Sequence, residues 1–236
     1  MSDKPILFSA PMVRALLAGT KTQTRRALNP QPYVNGFKFD AALGDILCHN
    51  DYLPPATLLM DKGKGANRYT ISDAEDGHEA FGKYRVGDRL YVREAWTTGA
   101  HLDNVAPRDI SPNQSVGYLA DEHEGPWLGR KRIGMHMPRW ASRITLTVTD
   151  IRVQRLQDIS AEDAIAEGVE LERYVPVSDS AGLHSSGEAE PTDPVEEYRD
   201  LWRSINGPGS WDENPWVVAY TFTVALGNVD QLARAA

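Results

Sequence analysis

The 236-residue sequence contains one cysteine, Cys48, so an internal disulfide is excluded and a reducing compartment is expected. No apolar run approaches the ~18 residues of a membrane span, and the N-terminus lacks the charged and apolar regions of a signal peptide. The six histidines (His49, His78, His101, His123, His136 and His184) form no HxxxH pair, and there is no CxxC, so no metal is expected. The stretch DKGKGAN lacks GxxxxGK[ST] spacing and is not a phosphate loop. No cofactor motif remains. Internal repeats are absent, and no linker cleanly separates two domains.

What the chain does carry is a 41% hydrophobic fraction and six tryptophans, enough for a folded core. Its formal charge of −8 is unevenly distributed. From Trp127 to Arg143 there are five Arg/Lys and no acid, whereas 158–200 holds thirteen acids against Arg173 and Arg199. Such segmentation marks either solvated faces or a local anion-binding surface on an acidic body. The latter suits a nucleoside, nucleotide or short nucleic acid better than tight, non-specific duplex binding.

Periodicity predicts a strand at KPILFS, then a helix capped by Ser9, with Pro11 in its first turn and Met12, Leu16 and Leu17 as its stripe. Gly19 falls where a left-handed helix stop belongs, and TQTRRAL starts a second strand. Residues 29–84 are turn-rich and read as an insertion with one hairpin, and 97–115 reads as a second insertion. Strands are expected over 88–96, over 116–121 and along RITLTVTDIRVQRL, whose Ile144, Leu146 and Val148 share a face. DISAEDAIAEGV reads as a helix with Ser160 as cap, Asp163 at the capping-box position and Gly168 as stop. Residues 170–191 read as a mobile acidic loop. The helix in TDPVEEYRDLWRSING turns Val195, Tyr198, Leu201, Trp202 and Ile205 inward between Asp193 and Gly207. PWVVAYTFTVAL closes the fold as a strand, leaving 230–236 as a frayed tail. These elements predict one α+β domain over 1–229, a closed or nearly closed sheet with flanking helices and long loop insertions.

Three polar positions stand out. Lys21 follows Gly19, and Thr24 lies three residues on. Positions i and i+3 of a regular strand face opposite ways, so the two side chains converge only if Lys21 sits in the turn and the strand starts later. The plain alternative is a surface cation favoured by a helix C-terminus. Glu167 ends its helix beside Gly168, where the dipole disfavours a carboxylate; it is either simply solvated or there for a reason. Trp96, Trp127 and Trp140 lie near Arg93, Arg130 and Arg139, as core residues or as platforms on which bases stack.

Gly19, Lys21, Thr22, Thr24 and Arg26 reproduce the G-x-K-T-x-T-x-R step of the ASCH domain family, whose fold is PUA-like, a mixed β-barrel. The resemblance continues through Gly87-Asp88, VTDIRVQRLQDISAEDAIAEG and PWVVAYTF. SAPMVRALLAGTKTQTRR, HMPRWASRITL and LWRSINGPGSWDENPWV resemble the longer members carried by phages and prophages. Small members of the family hydrolyse N4-acetylcytidine through a Lys, a Thr and a Glu, which by motif position fall on Lys21, Thr24 and Glu167. The resemblance therefore implies an amidohydrolase acting on a modified nucleoside or nucleotide in the cytoplasm, the host's if phage-encoded, with no membrane partner. In it Thr24 is the nucleophile or orients water, and Lys21 is general base and oxyanion partner. Glu167 holds the lysine or shuttles the proton. Arg25 and Arg26 grip sugar or phosphate, with Trp96, Arg139 and Trp140 as further substrate contacts. A non-catalytic RNA or modified-base binding module and a metal-independent ribonuclease are the alternatives.

Overall fold

The protein is described from a computed structural model that covers residues 2–29, 31, 33–34, 37–38, 57–61, 66–70, 82–122, 127–169, 171–175 and 188–235. Strand β1 (Asp3–Leu7) leads into helix α1 (Ala10–Ala18), and β2 (Gln23–Ala27) follows. Four short strands come next: β3 (Tyr33–Val34), β4 (Phe37–Lys38), β5 (Thr57–Asp61) and β6 (Ala66–Thr70). They form an antiparallel sheet in the order β4-β3-β5-β6, two hairpins where the sequence suggests one.

The chain continues through β7 (Arg89–Arg93), β8 (Trp96–Thr97), β9 (Gly117–Tyr118) and the twelve-residue β10 (Ile144–Arg155). Helix α2 (Ala161–Ala166), strands β11 (Glu172–Val175) and β12 (Glu188–Pro191), helix α3 (Pro194–Asn206), strand β13 (Trp216–Leu226) and helix α4 (Val229–Ala235) complete it. The main sheet is mixed, ordered β1-β7-β10-β13-β2, with β1 and β7 parallel and β7 and β10 antiparallel. The described strands form this open sheet and three smaller ones. No closed barrel is present among them. No helix among the described residues is long and apolar enough to cross a membrane.

The chain divides into two compact units. The first comprises 1–22, 83–151 and 220–236. Its sheet positions Ile6, Leu90, Val92, Ile144, Leu146 and Val148 are buried, as period-2 patterning requires. In α1 the buried residues are Val13 and Leu16, one helical step apart, and not Met12. A satellite core packs Trp96, Ile110, Met137 and Ala141. The expected frayed tail is helix α4, because tertiary contacts capture it. Val229 is fully buried, and the Asn228 amide donates to the carbonyls of Arg139 (2.8 Å), Trp140 (3.2 Å) and Ser142 (2.9 Å). That satisfies three backbone acceptors at once.

The second unit comprises 23–82 and 152–219. Its core joins Leu156, Ile159, Ala164, Tyr198, Trp202, Trp211 and Val217, with Val195 and Leu201 packed against it. Ile205, expected inward, is 52% exposed at the last turn of α3. Asp193 caps α3 by accepting from the Val195 N–H at 2.9 Å. The expected acidic loop has a paired stem: β11 and β12 are antiparallel, with Glu172 opposite Pro191.

Candidate active site

Gly19 fixes where the first candidate residue sits. Its φ of 77° ends α1 in the left-handed region that a side chain disfavours. The Thr20 and Lys21 N–H groups then both bond the Ala15 carbonyl, at 3.0 and 3.2 Å. Lys21 therefore belongs to the turn, and β2 begins two residues later. Within the first unit, its ammonium lies 5.6 Å from the centroid of the Phe8 ring, and the residue is 0% exposed. Lysine is almost never fully buried without a partner, so the plain surface-cation reading does not hold.

The second unit carries the other residues of the motif. On β2, Gln23, Thr24 and Arg25 are all buried. Strand alternation puts Gln23 and Arg25 on one face and Thr24 and Arg26 on the other. Ser160 starts α2 by accepting from the Asp163 N–H at 3.2 Å, and Gly168, with φ 81°, stops the helix just after Glu167. This short helix presents Asp163 and Glu167, four residues apart, on one face.

Arg25 meets both carboxylates. Its side chain is 0% exposed, with one Nη donating to Glu167 Oε1 at 3.2 Å and the other to Asp163 Oδ2 at 2.6 Å. The first Nη also donates to Gln23 Oε1. Asp163 additionally accepts from Gln23 Nε2 at 3.2 Å and from Arg152 at 2.9 Å. Burial works to raise the Asp163 carboxyl, but the bond from Arg152 and the charges of Arg25 and Arg152 prevail and hold it below the usual aspartate range. The Tyr198 ring lies 5.9 Å from the Arg25 guanidinium. Burial, reinforced by the Glu167 charge, pushes its phenol well above the ordinary value, so it stays protonated at neutral pH.

The expected substrate contacts are differently employed. Trp96 is 0% exposed in the satellite core, with Arg132 over its ring at 5.5 Å, which leaves no face for a base. Arg139 donates to Asp3 (2.6 Å) and Asp230 (2.6 Å). Trp140 packs partly buried against the satellite core, and Arg26 is half-buried. Asp163 and Arg152 were not singled out by sequence beyond the capping box. The signal was the Asp163/Glu167 spacing, which places two acids on one helical face. Among the described residues no group of three or more His, Cys, Asp or Glu side chains can hold a metal ion. Comparison of the chain with protein-family models, with curated proteins and with solved structures finds no match.

Proposed function

We propose that the protein is a longer, phage-type member of the ASCH family with a PUA-like fold, and that it hydrolyses the exocyclic amide of an N4-acylated cytidine-like nucleoside. The observation that carries this reading is burial. Lys21 (0% exposed), Thr24 (1%) and Glu167 (3%) are all withdrawn from water at the three motif positions. Desolvation offsets most of what an amine and a carboxylate gain from their charges, so their burial at these positions supports a role beyond stability.

In the reaction, water or the Thr24 hydroxyl adds to the acyl carbon as Lys21 takes the proton. The C–N bond then breaks as Glu167 relays that proton from Lys21 to the leaving N4 amine, releasing cytidine and, where water was the nucleophile, acetate. With Thr24 as nucleophile, a second addition of water releases the acetyl group from its oxygen. Lys21, once protonated, stabilises the oxyanion.

Acetate release from a panel of N4-acylated cytidines tests the reading. Lys21→Ala and Thr24→Ala are expected to lower the rate by about 100-fold or more while retaining the fold. A wild-type protein that releases no acid from any member of the panel removes the amidohydrolase reading. The rival, a binding module gripping RNA through Arg132 and Arg139, meets occupied side chains. Arg132 donates to the Leu102 and Val105 carbonyls, and Arg139 is engaged as above.

A further inference from the structure

We propose that Arg25 is a positioning residue that fixes the Glu167 carboxylate for proton delivery, and that it does not grip the substrate. This rests on the amidohydrolase reading above for its kinetic consequence, but its geometry stands within the second unit by itself. An arginine that recognises sugar or phosphate must present N–H groups to a ligand. Both Nη atoms of Arg25 are instead spent on Gln23, Asp163 and Glu167, beneath a side chain with no exposed area. The remaining nitrogen, Nε, is buried and makes no hydrogen bond among the described residues.

The planar fork explains why the residue is arginine. Its two terminal nitrogens hold two carboxylates at once in fixed directions, which the point charge of a lysine cannot do. Asp163 is the anchor of the clamp. It is tied to Arg152 and Gln23 and also begins α2 through its N–H, so the guanidinium is referenced to the same helix that carries Glu167. The Tyr198 ring flanks the clamp from α3, its hydroxyl kept neutral. Arg25 thereby sets the direction from which Glu167 can deliver a proton.

Steady-state kinetics of Arg25→Lys on N4-acetylcytidine give the test. Lysine keeps the charge and so the fold, but loses the fork. The expected result is a kcat lower by about 100-fold, the cost of a misdirected catalytic group, with KM within about twofold. Arg25→Ala should lose as much and recover at least about tenfold in kcat on addition of guanidinium chloride at sub-denaturing concentration. A raised KM with kcat intact means that Arg25 touches substrate, and an unaltered kcat and KM means that it merely fills space; either overturns the proposal. If the wild type releases no acetate, the amidohydrolase reading falls by itself, and the clamp is read from the Glu167 carboxyl carbon resonance. That resonance is expected to move in Arg25→Lys, and a resonance that stays put refutes the clamp.

Discussion

Each of the two units sets an arginine between two carboxylates and beside a tyrosine, Arg143 half-buried and Arg25 fully buried, and the two clusters differ in finish. In the first unit, Arg143 donates to Glu94 through Nε (2.9 Å) and Nη2 (3.0 Å), and to Asp121 through both Nη atoms at 2.7 Å. Its guanidinium stacks 3.9 Å from the Tyr118 ring centroid. Burial pulls the Arg143 guanidinium down, and its bonds to Glu94 and Asp121 more than reverse this, so it stays charged. In the second unit, Arg25 holds each carboxylate through one nitrogen, and its Nε makes no hydrogen bond among the described residues. The saturated cluster is a fastening. The second cluster divides the two terminal nitrogens of its arginine between two carboxylates instead of doubling up on each. Composition alone does not separate them; hydrogen-bond accounting does.

The strongest break in the comparison is expected at Arg143. Arg143→Met leaves Glu94, 1% exposed, as a buried charge without its fork, and should cost about 3–5 kcal/mol in urea denaturation. The folded fraction should keep its activity, because the cluster is not part of the proposed chemistry.

A smaller effect sits at Asp88, which accepts from Lys4 (2.6 Å), from Ser2 and from the Arg85 N–H (3.0 Å). Burial works to raise this carboxyl, and those bonds overcome it to hold the pKa at about 2. A depressed carboxylate stabilises the fold above its unfolded value near 3.8 and loses that contribution as pH falls through about 2. Asp88→Asn should therefore cost about 2 kcal/mol at pH 7, and the gap to wild type should close progressively between pH 4 and pH 2. Asp163 in the second unit is also depressed, so Asp163→Asn should show a gap of the same sign, closing as the pH falls below the ordinary aspartate range. A gap that widens in acid at either position contradicts the assignment.

The smallest contrast is between helix starts. Ser160 receives the Asp163 N–H, whereas the Ser9 side chain makes no capping bond. Thermal denaturation should show about 1 kcal/mol lost in Ser160→Ala and almost nothing in Ser9→Ala, although both look alike as caps in sequence.

That last pair illustrates what was legible. Gly19, Gly168, Asp193 and the apolar spacing of α3 act locally, so helix limits and the turn position of Lys21 could be read along the chain. Helix α4 could not, since its short polar sequence is held by Asn228 reaching three distant carbonyls and by one buried valine. The same holds for Trp96, whose surroundings come from residues up to Ala141. The family resemblance implied an anion grip for Arg25; its carboxylate partners lie 138 and 142 positions away. Sequence made certain polar groups stand out more readily than it showed what they bond.

Two buried glutamates offer the most direct trial of the functional account: Glu167 at 3% exposure and Glu94 at 1%. Acetate and cytidine should be released one for one from N4-acetylcytidine by the wild type. The rate should drop by about 1,000-fold in Glu167→Gln and stay within about twofold of wild type in Glu94→Gln, per folded molecule. Equal losses in the two variants, or a Glu167→Gln protein that still releases acetate at the wild-type rate, contradict the account.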